Sequence, residues 1–400
     1  LHNLKGHTDE VQSAQFSPDG KRIVTASSDN TAKIWEVASG KMLHNLKGHT
    51  DEVQSAQFSP DGKRIVTASS DNTAKIWEVA SGKMLHNLKG HTDEVQSAQF
   101  SPDGKRIVTA SSDNTAKIWE VASGKMLHNL KGHTDEVQSA QFSPDGKSIV
   151  TASWDNTAKI WEVVSGMMLQ DLTGHTSRIW SAQFSPDGKN IVTRSDDTTA
   201  RIWEVASGKM LHALTGHTDY VHSAQFSPDG KSIVTASRDN TAKIWDVASG
   251  KMLHNLKGHK SRIWSAQFSS DGKRIVTASD DQTAKIWDVA SGKMLHDFVG
   301  HKVGVNSAQF SPDGKSIVTT SHDKTAKIWE VASGKMLQNL TVNTDGVRSA
   351  QFSPDGRSIV TVSSDHKIKI WEVASGKMLQ NLKGHSDRVL SVQFSPDRKR

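Results

Sequence analysis

The chain has 400 residues, 35% of them hydrophobic, with no cysteine, 49 basic against 43 acidic residues and a net charge of +6. No cysteine means no disulfide, thiolate metal site or cysteine nucleophile. No apolar run approaches the roughly 18 residues of a membrane-spanning helix, and the N-terminus lacks the charged-then-apolar order of a secretory signal. The expected setting is therefore cytoplasmic.

In chain order, a 42-residue unit occupies 1–42 and recurs unchanged at 43–84 and 85–126. Six substituted copies fill 127–378, and 379–400 begin a tenth copy and stop. A period of this size without linkers means that each unit stacks on its neighbour to bury a continuous core. Within a unit, the runs MLHNL, VQSAQF, RIVTAS and AKIWEV alternate with KGHTD, SPDGK, SDN and ASGK. Asp19-Gly20, Asp29-Asn30 and Ser39-Gly40 suit tight turns with positive φ. Short Thr-, Val- and Ile-rich runs about ten residues apart predict antiparallel hairpins rather than stacked helices. Ile23-Val24 and Ile34-Trp35 are apolar on both faces, as sandwiched sheets require.

Gly6-His7, the SPDG turn, Ser27-x-Asp29 and Trp35-Glu36 at these spacings resemble the WD-repeat family of β-propellers, over the whole chain. The usual Trp-Asp pair stands only at Trp245-Asp246 and Trp287-Asp288. The resemblance implies an all-β propeller of four-stranded blades, with the GHTDEV and SSDN loops on one rim and SPDGK and ASGK on the other. Nine complete copies in 1–378 read as one nine-bladed ring with frayed ends. The partial copy, 379–400, supplies an outer and an inner strand only. A seven- or eight-bladed ring with surplus repeats is the alternative. Near-identical repeats of this kind resemble bacterial arrays that form the sensor or scaffold part of larger signalling proteins, so a larger multidomain protein is expected.

His, Ser and Asp are the residue types of a hydrolytic triad, but here they recur with Trp in every copy except the ninth. His7, Ser27, Asp29 and Trp35 reappear as His175, Ser195, Asp197 and Trp203. An enzyme needs one such geometry beside an oxyanion hole, not eight. The resemblance implies instead a chain of hydrogen bonds in each blade, from Trp through Ser and His to Asp. The ninth copy has Asn343 in place of the His, which predicts the loosest blade. One Gly-His histidine per blade does not assemble a zinc site, and phosphate-loop motifs are absent. No enzyme activity, metal or cofactor is expected.

Substitutions concentrate at three offsets. Lys33, read as exposed, is Lys or Arg in every copy. By contrast, the Glu10 offset becomes Arg178, Tyr220 and Arg262; the Gln12 offset becomes Trp180, His222, Trp264 and Arg348; and the Ser28 offset becomes Trp154, Arg238 and His322. These ten residues flank the Gly-His rim, and Trp, Tyr and Arg are the types enriched at interface hot spots. Copies five to seven thus read as an aromatic and basic arc facing a protein or peptide. Drift or packing between loops is the bland alternative. The other rim carries Lys21- and Lys41-type residues, giving anion or nucleic-acid binding as a second reading. Interspersed Asp19-type residues favour simple solvation there, so nucleic acid ranks below protein as a partner. A designed or fragmentary array without a specific ligand is the third reading.

Overall fold

The computed structural model describes residues 7–9, 11–37, 39, 41–341, 346–353, 355–363, 368–382 and 391–393. The first unit forms β1 (Val11–Phe16), β2 (Arg22–Ser27), β3 (Thr31–Glu36) and β4 (Met42–Lys47), paired antiparallel in that order. The turn chemistry acts as its residues suggest. Ser17 Oγ accepts from Arg22 N at 2.9 Å, Asp19 Oδ1 accepts from Lys21 N at 3.0 Å, and Gly20 takes φ 66°. Asn30 takes φ 65° between β2 and β3, the left-handed region that Asn tolerates.

Eight further sheets repeat this order, making nine blades, not seven or eight with surplus copies. β4 belongs by sequence to the second copy, so each blade borrows its outer strand from the next unit. The seams hold the core. Val24, Ala26 and Ile34 of blade one pack with Val53, Phe58, Ile65 and Trp77 of blade two, all buried. The inner strands ring a central cavity of about 530 Å³, lined by the Ser–Ala–Gln triplets of the first six blades.

Two features differ from expectation. The C-terminal end is not simply frayed. Met378–Leu382 completes blade nine, and Ser391–Gln393 pairs in parallel with residues 13–15 of β1, making the first sheet five-stranded. An unpaired inner edge offers free N–H and C=O groups, and the partial copy supplies a strand to them. The outer-strand histidines, to which the sequence assigned no role, tie successive blades together. His44 Nε2 donates to Ala80 O at 3.0 Å and His86 Nε2 to Ala122 O at 3.0 Å. Each ring covers a glycine of the next blade: a Cβ on Gly124 (φ 68°) would lie 2.6 Å from His86 Cβ.

Candidate functional site

The polar set under the Gly-His rim is a closed circuit. Trp35 Nε1 donates to Thr25 Oγ1 at 3.0 Å, Thr25 Oγ1 lies 2.6 Å from His7 Nε2, and His7 Nδ1 lies 2.7 Å from Asp29 Oδ2. One assignment satisfies every group: Thr25 O–H donates to Nε2 of a neutral His7, whose Nδ1–H donates to the carboxylate. The corresponding links recur through blade eight, for example at Trp203, Thr193, His175 and Asp197. The expected order, with Ser27 between Trp and His, is therefore corrected. Ser27 sits two residues further along β2, level with the loop, where its Oγ donates to Asp9 O at 2.8 Å and accepts from Asp29 N at 3.1 Å. Ser195 does the same with Ser177 O and Asp197 N. Asn343 lies outside the described residues.

Burial sets the charges. It pushes His7 down to about 4, outweighing the hydrogen bond that His7 donates to Asp29. The same burial would raise the Asp29 carboxyl, yet the His7 and Thr31 hydrogen bonds hold it well below the usual range. A triad of this kind has no exposed nucleophile. Lys33 is also part of the circuit and is not exposed: it is 1% accessible, and its Nζ donates to Asn45 Oδ1 at 2.9 Å and Thr31 Oγ1 at 2.6 Å. Its constancy reflects buried hydrogen bonding rather than surface retention.

On the rim above, Gln12, Gln54 and Gln96 donate to Ser28, Ser70 and Ser112 at 2.8, 2.8 and 2.9 Å. In blades five and seven both partners change together. Trp180 Nε1 donates to Asp196 Oδ1 at 2.9 Å, and Trp264 Nε1 to Asp280 Oδ1 at 2.7 Å. Trp154 meets Trp180 edge-on at 5.4 Å across the four–five seam, with the Arg178 guanidinium 4.3 Å above Trp154. His222 stacks on Trp264 at 4.8 Å across the six–seven seam. Arg262 lies 4.5 Å above the same indole and is ion-paired with Asp280. Between these clusters, Arg238 lies 5.9 Å from the ring of Tyr220, which is 42% exposed. Arg178, Arg238 and His322 are exposed, whereas Trp154, Trp180, His222, Arg262, Trp264 and Arg348 are half-buried. His322 and Arg348 belong to the eight–nine seam: Thr320 Oγ1 donates to Arg348 O at 3.2 Å, and a Cβ on Gly346 would meet His322 Nδ1 at 2.7 Å.

A model described as WD domain, G-beta repeat matches residues 1–36, 40–78, 82–120, 124–162, 166–204, 208–246, 250–288, 292–330, 334–372 and 376–400. The chain belongs to the WD-repeat family. WD-repeat propellers characteristically serve as non-catalytic protein-interaction scaffolds, and the circuit under the rim fits that role. The uncharacterized WD repeat-containing protein sll1491 of Synechocystis is 50% identical over 44 residues, 11% of this chain and 13% of that protein. The ribosome biogenesis protein BOP1 homolog of Aedes aegypti is 47% identical over 45 residues, 11% of this chain and 5% of that protein. Each match thus spans about one repeat and a small part of the relative's length. The crystal structure of the computationally designed Ika8 protein is similar at TM-score 0.65 and 31% identity, over 83% of this chain and 99% of that one.

Among the described residues of this WD-repeat chain, no group of three His, Asp or Glu side chains is placed to hold a metal ion. Among the described residues no helix is long and apolar enough to cross a membrane. Three features escaped the sequence reading: Thr25, the pairing of the rim tryptophans with Asp196 and Asp280, which themselves stand among the substitutions at the Ser28 offset, and Arg194. The first is Thr in all nine copies, the second changes in step with the Trp, and the third is the one charged residue at its offset. Each was a readable signal.

Proposed function

We propose that this propeller grips a protein or peptide through the rim of blades five to seven, with Trp154 of blade four extending the surface. The observation that carries this reading is the fixing of the rings before any partner arrives. Trp180 and Trp264 are oriented by aspartate on one side and by neighbouring rings across the seams on the other. Rigid aromatic groups lose little rotamer freedom on binding, so more of their contact energy appears as affinity. Arg178, Tyr220 and Arg238 project from the same arc and are exposed. Blades two to four present Glu52, Glu94 and Glu136 at the equivalent loop position, Glu136 beside Trp154. This polarity suits an acidic segment carrying apolar or aromatic side chains.

Selection of a displayed random peptide library on the wild-type protein tests the reading. Recovered peptides should be acidic and should lose binding to Tyr220→Ala/Arg238→Ala, a pair of exposed changes with little effect on melting. Recovery of basic peptides, or of binders indifferent to that pair, contradicts it.

A further inference from the structure

Blade five carries a guanidinium where its neighbours carry a methyl group. Arg194 occupies the position held by Ala26, Ala68, Ala110, Ala152, Ala236 and Ala278. It pairs in register with Ser181 on one side and Ala200 on the other, and its Nε donates to Ser181 Oγ at 2.9 Å. The seam around it is opened. In blade six Ala224 is only partly buried, whereas its counterparts Ala182 and Ala266 in the blades on either side are 6% and 0% exposed. Arg194 consequently lines the central cavity together with His222, Ser181 and Ser223.

Two polar groups at this point lack compensation. Arg194 forms no ion pair among the described residues; the carboxylate acting on it, Asp196, already accepts the Trp180 indole N–H. His222 Nε2 is buried with no hydrogen-bond partner among the described residues. A withdrawn cation and an orphaned imidazole nitrogen both destabilise the empty protein. A ligand that meets both offsets that cost. Burial holds His222 below its ordinary value, and Arg194, Arg262 and Arg238 add to the effect against a smaller opposing contribution from Asp196. The imidazole is therefore neutral and Arg194 supplies a single positive charge, which matches a monoanion better than a phosphate dianion.

We propose that the central cavity at blades five and six binds a carboxylate, held by the terminal nitrogens of Arg194 and by His222 Nε2–H. The rim partner is the source of that carboxylate, as an acidic side chain that reaches past His222 from the peptide above; this part rests on the rim reading. Guanidinium and carboxylate pair through parallel N–H···O bonds, and the low dielectric of the cavity strengthens them.

The test uses propionate as the free carboxylate, acetyl-Gly-Glu-Gly-amide as the peptide form and acetyl-Gly-Gln-Gly-amide as its uncharged control. The full chain is followed through the His222 ring signals by NMR. Propionate and the Glu peptide should both shift those signals and saturate, and the Gln peptide should not. Arg194→Ala, which restores the residue of the neighbouring blades, should melt no lower than wild type and bind the two carboxylates at least about tenfold more weakly. Equal binding of the Glu and Gln peptides, or unchanged affinity in Arg194→Ala, overturns the site. Arg194→Ala that melts lower yet binds normally identifies the side chain as a seam wedge and also overturns it. Propionate binding without Glu-peptide binding overturns the peptide source alone. Rim failure is read separately, because propionate binding does not depend on Tyr220 or Arg238.

Discussion

Thr109→Val in blade three removes one hydroxyl and almost no volume. The Oγ1 of Thr109 accepts from Trp119 Nε1 at 2.9 Å and lies 2.7 Å from His91 Nε2, and Thr109 is fully buried. Valine leaves both the indole N–H and the imidazole lone pair unpaired in a site closed to water. Each orphaned group costs about 1–3 kcal/mol, so the change should destabilise the protein by about 2–6 kcal/mol. Ser111→Ala is the comparison. Its hydroxyl serves Asp93 O and the Asp113 N–H beside the exposed loop, where water can replace it, so about 1 kcal/mol is expected. Urea unfolding followed by tryptophan fluorescence at neutral pH reads both variants against wild type. If Ser111→Ala costs more than Thr109→Val, the circuit does not run through threonine and the argument fails.

Acid should weaken the protein in a defined window. His7, His49, His91, His175, His217 and His301 are all held below their ordinary value of 6.5 by burial, His7 at about 4. The unfolded chain therefore binds protons first, so stability is full above pH 6.5 and falls as pH drops toward 4, by about 3 kcal/mol for His7 alone. Aspartates such as Asp29 and Asp71, also held low, extend the loss below their ordinary 3.8. A melting temperature that stays level from pH 7 to pH 4.5 contradicts this. Gly124→Ala should destabilise by about 1–2 kcal/mol, because a Cβ at φ 68° is strained and strikes the His86 side chain. Thermal melts check it, and an unchanged melt removes the inter-blade role given to that histidine.

The blade count was readable because a 42-residue period carries turn residues at fixed offsets, and Gly20 and Asn30 take the positive φ that their types suggest. The polar circuit was readable in its members but not in its wiring. Thr25 and Ser27 point to the same side of β2, and only the register of β2 against β3 decides which meets Trp35. Lys33 was misread as exposed because its charge suggests solvent, while its constancy alone does not distinguish a surface from a satisfied buried group. The rim residues were found by their substitution pattern, yet the packing of Trp154 on Trp180 and of His222 on Trp264 depends on neighbouring copies, which one-copy offsets do not show. Arg194 is legible as the one charged residue at its offset, but its effect lies inside a seam that the pattern of a single copy does not show.

The most direct test of the binding arc is calorimetric titration of one selected peptide into wild type, Trp180→Ala, Trp264→Ala and Gln54→Ala, each checked for folding by its melting temperature. Trp180→Ala and Trp264→Ala should each weaken binding by at least roughly 2 kcal/mol, the scale of interface hot spots. Gln54→Ala, on the arc that repeats Gln and Ser without change, should alter affinity by less than about 0.5 kcal/mol. Tryptophan variants that melt early but bind as tightly as wild type once folded would show that these rings only pack the seams.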